Sequence, residues 1–417
     1  MSWLIPFNEL TVDQQRAVQL NPNENRAIIG GPGSGKTQVL LHRARYLSDL
    51  MGTSPEGYRL FVYTNALKEY IKSAIQDLRL PEDNVLTFDH WCCIFYQQHI
   101  NKSLPRNSEE KTLDFPLIRK SVIRYITSGK ISLPIFNFVL VDEGQDFEEE
   151  IFSFLSSISR HVTVCIDNKQ QLYDNKASEV EILYKLGIRR HNVNLIDAFR
   201  VCPYLVEVAA EFIPDPTEKD AFRNQTRQPQ IERQTPSIYF SRNLEDEKQM
   251  LYHIVQERLL KNERIAILLP KNKQVFGFAK GLSDVGIEVE VPDKGKRSNS
   301  LPTHDFNSSR PKVMAYHSAK GLTFDTVIMP RLVASSFGRF HPSRIERLIF
   351  VGITRATKWC YFSTTLDNPL SLILDKILPL VKSRKVSILQ SEDQWKSKDS
   401  EDRKKEKPGK KDDLDFL

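Results

Sequence analysis

The sequence predicts an α/β protein built on two parallel sheets, and three observations predict it. Apolar strands alternate with helical spacing in the first half of the chain and again in the second, the pattern of sheets covered by helices. Strands such as Phe136–Glu143, before its closing acids, and Ile265–Leu269 are strongly apolar, as strands buried on both faces are. Finally, a glycine-rich turn closes the first strand and acids close two later ones, at the strand ends where open α/β sheets bind ligands.

The glycine-rich turn is Gly30-Gly31-Pro32-Gly33-Ser34-Gly35-Lys36-Thr37. It fits G-x-x-x-x-G-K-[ST], a phosphate-binding loop. Ala27-Ile28-Ile29 before it reads as a buried strand. Val39, Leu40, Ala44 and Leu47 after it keep helical spacing, so a helix is expected to start at Lys36. Glycines let the backbone wrap a phosphate with its N–H groups inward, and the helix N-terminus adds partial positive charge. Lys36 is expected to reach the β- and γ-phosphates and the Thr37 hydroxyl to ligate Mg²⁺.

Upstream, Leu10–Val18 reads as a capped helix starting near Thr11 or Asp13. It carries Gln14 and Gln15, and a glutamine amide can both donate to and accept from an adenine edge. Downstream come a strand at Leu60–Tyr63, a helix through Lys68–Ile75 and a strand at Val85–Phe88. Helical patches follow around Cys93–His99 and Leu117–Thr127. Phe136–Glu143 is a strand ending in Asp142 and Glu143, and Val162–Asp167 is another ending in an acid. Asp142 is placed to hold Mg²⁺ through water, and Glu143 to polarise a water attacking the γ-phosphate.

Prolines and charges make 203–235 read as a connector. The second block has strands at Ser237–Phe240, Ile265–Leu269, Ile287–Val291, Lys312–Tyr316, Thr326–Met329 and Cys360–Ser363. Its helices lie at Leu244–Leu260 and Val275–Leu282, and it has no second phosphate loop. A polar loop is expected at 293–311. The domain division is therefore 1–202 with a short insertion near 92–135, a connector at 203–235, a second domain at 236–385, and a charged tail at 386–417 expected to be disordered.

Composition agrees with a globular chain: 417 residues, 40% hydrophobic and 27% charged, with a net charge of +6. That charge permits a polyanionic partner. No apolar run reaches the roughly 18 residues of a membrane span, and the N-terminus lacks the features of a signal peptide. Cys92, Cys93, Cys165, Cys202 and Cys360 show no C-x-x-C spacing and read as reduced, mostly buried thiols. A cytoplasmic protein is expected, with no membrane partner and no zinc or iron–sulfur site.

Several short motifs then line up in order, and together they resemble the UvrD/Rep-like superfamily 1 helicases. Gln14 fits the adenine-reading Q motif, residues 30–37 motif I, and Tyr63-Thr64-Asn65 motif Ia. Val141-Asp142-Glu143-Gly144-Gln145-Asp146 fits motif II. Asp167-Asn168-Lys169-Gln170-Gln171-Leu172-Tyr173 resembles motif III, and Ala198-Phe199-Arg200 motif IV. His317-Ser318-Ala319-Lys320-Gly321-Leu322 fits motif V and Val351-Gly352-Ile353-Thr354-Arg355-Ala356 motif VI.

The resemblance implies two RecA-like domains with ATP in the cleft between them. Lys36, Thr37, Asp142, Glu143 and Gln170 would come from the first domain and Arg355, an arginine finger, from the second. It also implies Arg200 at the γ-phosphate, Phe199 stacked on adenine and Gly321 at the nucleotide. Guanidinium groups suit charge on a transferring phosphoryl group. Single-stranded or partly duplex DNA would cross Tyr63, Thr64, Thr87, His90 and His317, because aromatic faces stack on bases and basic groups track phosphate.

The chain departs from the family pattern at four places. Asn175 and Lys176 stand where motif III has a Trp–Arg pair, and Thr323 stands where motif V has a ribose-binding Glu. In motif Ib, Thr87–Trp91, the histidine is displaced by one position. About fifty residues separate Thr87 from Asp142, and about twenty separate Val291 from Lys312. Subdomain 1B is therefore expected to be small and 2B absent. Two readings follow. One is an ATP-driven DNA translocase or helicase serving repair or defence against foreign DNA. The other is an ATP-switched binding module of a larger complex. A protein partner, a nuclease or other effector, is expected because no nuclease constellation is evident. The end of the tail, Asp413–Leu417, loosely resembles clamp-docking peptides.

Overall fold

The computed structural model describes residues 3–107, 112–167, 177–189, 193–195, 202–224, 234–292 and 301–389. Helix α1 (Val12–Val18) opens with a capping box in which Thr11 and Gln14 satisfy each other's backbone N–H, which removes two orphan donors at the helix start. Then come β1 (Arg26–Gly30), α2 (Lys36–Met51), β2 (Tyr58–Val62), α3 (Asn65–Ile75), β3 (Val85–Thr87), α4 (Phe88–His99) and α5 (Phe115–Tyr125). β4 (Phe138–Val141), α6 (Glu149–Ile158), β5 (Val162–Ile166), α7 (Glu179–Lys185) and β6 (Val193–Leu195) complete the first domain. Its sheet runs β3-β2-β4-β5-β1-β6, and every pairing in it is parallel.

The second domain holds α8 (Pro203–Ala210), α9 (Pro216–Asn224), β7 (Ser237–Ser241), α10 (Leu244–Leu260), β8 (Ile265–Leu269), α11 (Asn272–Asp284) and β9 (Lys312–Ala315). β10 (Phe324–Met329), α12 (Ala334–Phe337), α13 (Pro342–Ile353), β11 (Ala356–Thr365), α14 (Ser371–Lys382) and β12 (Ser387–Leu389) follow. The sheet order is β12-β7-β11-β10-β8-β9, again with parallel pairings. The buried residues of β4, β5, β8 and β9 are unbroken along each strand. Two parallel-sheet α/β domains are thus the architecture.

The structure differs from the sequence reading at three places. Residues 203–224, read as connector, form α8 and α9. Pro203 and Pro216 are the first residues of these helices, where a missing N–H does no harm. Both helices pack on the second domain: Phe222 meets Phe350 edge-on at 5.4 Å, and Lys376 donates to Glu211 O at 2.6 Å. Ile287–Val291 is no ladder strand. Ile287, Val289 and Val291 are buried in alternation, but only single bridges join Glu290 to Lys312 and Val291 to Thr303. Within the span read as tail, Ser387–Leu389 forms a strand paired with β7. From residue 390 onward the tail lies outside the described residues.

All five cysteines are free and buried. Among the described residues there is no cluster of metal-ligating side chains, and no helix is long and apolar enough to cross a membrane.

Candidate nucleotide-binding cleft

The turn after β1 is set by backbone freedom. Gly33 and Gly35 sit at φ +77° and +85°, where only glycine is at ease. Gly35 caps α2, whose first residue is Lys36. A Cβ on Gly35 would overlap Gln14 Nε2, so the loop and Gln14 are in intimate contact. Gln14 Nε2 donates to Ser34 O at 2.9 Å, and Gln14 Oε1 accepts from Thr11 N–H at 3.1 Å. Gln14 thereby ties α1 to the loop. The Ser34 hydroxyl is buried with no hydrogen-bond partner. An orphaned donor inside the loop fits a phosphate oxygen.

Lys36 is buried. Its Nζ lies 2.7 Å from Gly30 O, 3.0 Å from Gly31 O and 3.1 Å from Asp167 Oδ2. Burial opposes its charge, but the carboxylates of Asp167, Glu143 and Asp142 outweigh burial and hold the ammonium above its ordinary value. Thr37 donates to Asp142 Oδ2 at 2.7 Å. Burial, and then the charge of Glu143, push the Asp142 carboxyl up. A hydroxyl and a carboxylate converging in a buried site form an all-oxygen donor pair suited to Mg²⁺, and Thr37 and Asp142 are the residues that would hold it.

Glu143 follows β4 in the left-handed region, φ 53°. The neighbouring Gly144 lies so close to β5 that a Cβ would overlap Val164 Cγ2. This explains the glycine at the variable position of the D-E-x-Q-D motif. Gln145 Nε2 donates to Glu143 Oε2 at 2.6 Å, and Gln145 Oε1 accepts from Asp167 N–H at 2.9 Å. Burial works against ionisation of Glu143, yet the cations of Lys320, Lys36 and Arg355 prevail and hold its carboxyl low.

The second domain closes the site. Arg355, just past the end of α13, is buried and lines the same cavity as Lys36, Thr37, Glu143 and Asp167. Its guanidinium donates to Val351 O, Leu322 O and Thr354 Oγ1 at 3.2–3.3 Å. Pro32, Gly33, Gly35, Gly321 and Thr323 line the cavity too, which measures about 40 Å³. Trp3 and Tyr70 form one wall, their rings stacked at 4.2 Å. Gln38 holds the Trp3 strap by both ends of its amide, accepting from Ile5 N–H and donating to Trp3 O at 2.9 Å each. Sequence reading missed Trp3, Gln38, Gln145 and the contact made by Lys320. For Trp3 the available signal was an isolated tryptophan near a phosphate loop; Gln145 and Lys320 stood inside quoted motifs. Gln170, Phe199 and Arg200 lie outside the described residues.

Residues expected at DNA gather in part. Tyr63 and Thr64 follow β2, Thr87 ends β3 and His90 lies just beyond it, and the two strands are adjacent. Thr64 and Thr87 cap α3 and α4 through their hydroxyls, and His90 is exposed. Burial, then Lys68 and Lys72, lower the His90 pKa. Tyr63 and Thr87 border a cleft with Arg119, Asp146 and Glu148. His317 stands apart from them, half-buried on the second domain.

Fold and cleft define a two-domain phosphate-loop protein with a composite site between parallel sheets. Residues 10–133 match the UvrD/REP helicase N-terminal domain, and residues 313–363 match the UvrD-like helicase C-terminal domain. These two domain matches support a UvrD-like helicase. It is 25% identical over 183 residues to the ATP-dependent DNA helicase PcrA of Staphylococcus aureus, an alignment covering 43% of this chain and 23% of that protein. Staphylococcus epidermidis PcrA is 26% identical over 163 residues, covering 38% and 21%. The chain thus spans under a quarter of the length of the curated relatives it matches. The C-terminal domain of a possible DNA helicase from Lactobacillus plantarum WCFS1 aligns with 46% of this chain and 99% of its own at 15% identity, with a TM-score of 0.34, a likeness too slight to carry an argument.

Proposed function

We propose that the chain is an ATP hydrolase that converts cleft opening and closing into movement along single-stranded DNA. One observation carries this reading: Lys36, Thr37 and Glu143 of one sheet and Arg355 of the other border a single cavity. ATP with Mg²⁺ would sit there. Lys36 and the loop amides would take its phosphates, and Thr37 and Asp142 its cation. Glu143 would orient the attacking water, and Arg355 would meet charge developing on the γ-phosphoryl group. Gln170 and Arg200 would join them at the γ-phosphate, and Phe199 would stack on the base. A phosphoryl group touched from both domains bridges them, and hydrolysis releases the bridge. DNA would cross both domains by way of Tyr63, Thr64, Thr87, His90 and His317. We place the domain boundary near residue 202, count α8 and α9 with the second domain, and treat α4 and α5 as the reduced 1B region.

The compactness of the inserts favours a second reading. Only the segment 292–311 stands where a 2B region would be, so an ATP-operated switch acting with a nuclease or other effector is the alternative. Cytoplasmic work in repair or defence suits both readings. Phosphate release by the purified chain, with and without single-stranded DNA, tests the proposal. Strong stimulation supports a motor. A low rate indifferent to DNA refutes it in favour of the switch.

A further inference from the structure

Lys320 follows the short turn after β9, in the second domain. Its side chain is only 2% exposed and crosses the cleft. The Nζ lies 2.6 Å from Asp146 Oδ2 and 3.7 Å from Glu143 Oε2. Both acids belong to the turn that leaves β4 in the first domain. Asp146 is fully buried, and its Oδ1 has no hydrogen-bond partner among the described residues. Burial pushes its carboxyl up to about 6 even though Lys320 pulls it down. A buried carboxylate of this kind is costly without a paired cation, and Lys320 is that cation.

The contact belongs to the closed cleft. Gly321, at φ +79°, packs so closely on Leu67 of α3 that a Cβ would overlap it. The cavity of about 40 Å³ is far below the roughly 300 Å³ at which ligand pockets begin, so a nucleoside triphosphate enters with the domains apart and the grip re-forms as they close on it. Parting them withdraws Lys320 from Asp146. The turn Lys320 grips is the one that aims Glu143: Asp146 N–H donates to Glu143 O at 3.0 Å.

We propose that Lys320 is a positioning residue that ties domain closure to the alignment of Glu143 by gripping the Glu143–Asp146 turn across the cleft. This rests on the reading of the cleft as a site of ATP hydrolysis. Glu143 then stands in register only when the second domain has docked, so hydrolysis waits for closure.

The test measures kcat and KM for ATP with single-stranded DNA present, in the full chain and in Lys320→Met, Lys320→Arg, Asp146→Asn and the Asp146→Asn/Lys320→Met double variant. Lys320→Met is expected to lower kcat about 100-fold, the size of a 1 Å misplacement, with KM within about threefold. Lys320→Arg is expected to restore much of the rate. In the Asp146→Asn background the Met substitution is expected to cost little more, because its partner is already gone. A Lys320→Met chain with kcat within about twofold of the parent overturns the proposal, as does a full additional loss in the Asp146→Asn background. Should Lys320→Met fail to fold, the two Asp146→Asn chains decide between these outcomes. A parent chain that releases no phosphate refutes the hydrolase reading itself and is told apart from both.

Discussion

Gln145 donates to Glu143 Oε2 at 2.6 Å, and its carbonyl holds the Asp167 N–H at 2.9 Å. One amide therefore fixes the carboxylate after β4 against the strand end that carries the partner of Lys36. Gln145→Ala removes both bonds. Phosphate release is expected to fall about 100-fold, a misalignment-sized loss, while KM for ATP changes little, since Gln145 does not line the cavity. Steady-state kinetics separate the two.

Lys36→Ala is expected to bring turnover down by about 10³ or to background, because it deletes the buried cation of the phosphate loop. It also leaves Asp167 without its 3.1 Å ion pair, so thermal melting is measured alongside. Normal turnover would refute the phosphate-loop assignment.

Arg355→Ala is expected to slow hydrolysis by a factor on the order of 10³ while ATP still binds, as loss of an arginine finger does. Fluorescent-nucleotide titration checks the binding and phosphate release the rate. In this structure the three guanidinium hydrogen bonds fall within the second domain, so the proposed role would require Arg355 to turn toward the phosphate.

Gly144→Ala sets a methyl group into Val164 and the Cys165 carbonyl. Overpacking of this kind costs about 1–3 kcal/mol. The urea midpoint is expected to fall accordingly, and turnover with it, because relief of the overlap shifts Glu143.

His161 gives a pH prediction. It is fully buried at the start of β5, 3.1 Å from Arg43 Nη2 and 2.7 Å from Thr163 Oγ1. Burial, then the Arg43 charge, hold its pKa down to about 3. The unfolded chain takes up this proton below about 6.5 and the folded chain does not, so stability falls as pH drops from 6.5 toward 3. Between pH 7 and pH 5 this histidine alone is expected to remove about 2 kcal/mol. Urea unfolding of the parent and of His161→Gln at both pH values is the check: the variant's slope is expected to be flatter.

The sequence made the phosphate loop and the strand-end acids legible because their chemistry demands particular residues at fixed local spacing. Helix α10 and strand β8 were read at their observed bounds, Leu244–Leu260 and Ile265–Leu269, because apolar periodicity and flanking breakers agreed there. The prolines of 203–216 misled, since a proline that opens a helix and one that prevents it look alike in sequence. Ile287–Val291 misled because alternation reports burial and is silent on whether a neighbouring strand keeps register. The contacts of Lys320 and Trp3 are tertiary: Lys320 and Asp146 lie 174 positions apart, and no local pattern encodes such a meeting.

The strand order of the two sheets also bears on how the chain is made. Among the described residues, the first sheet has its strands once Leu195 has been added, before the strands of the second are made. In the second sheet, β7 lies between β11 and β12, which begin about 115 and about 146 residues after it ends. At about 5–20 residues per second of synthesis, β7 spends roughly 6–25 s with both edges bare while the first domain is already able to fold. During that interval the exposed edges of Ser237–Ser241 are open to mispairing with another nascent chain, which makes the second domain the place where a holdase would be needed on the ribosome.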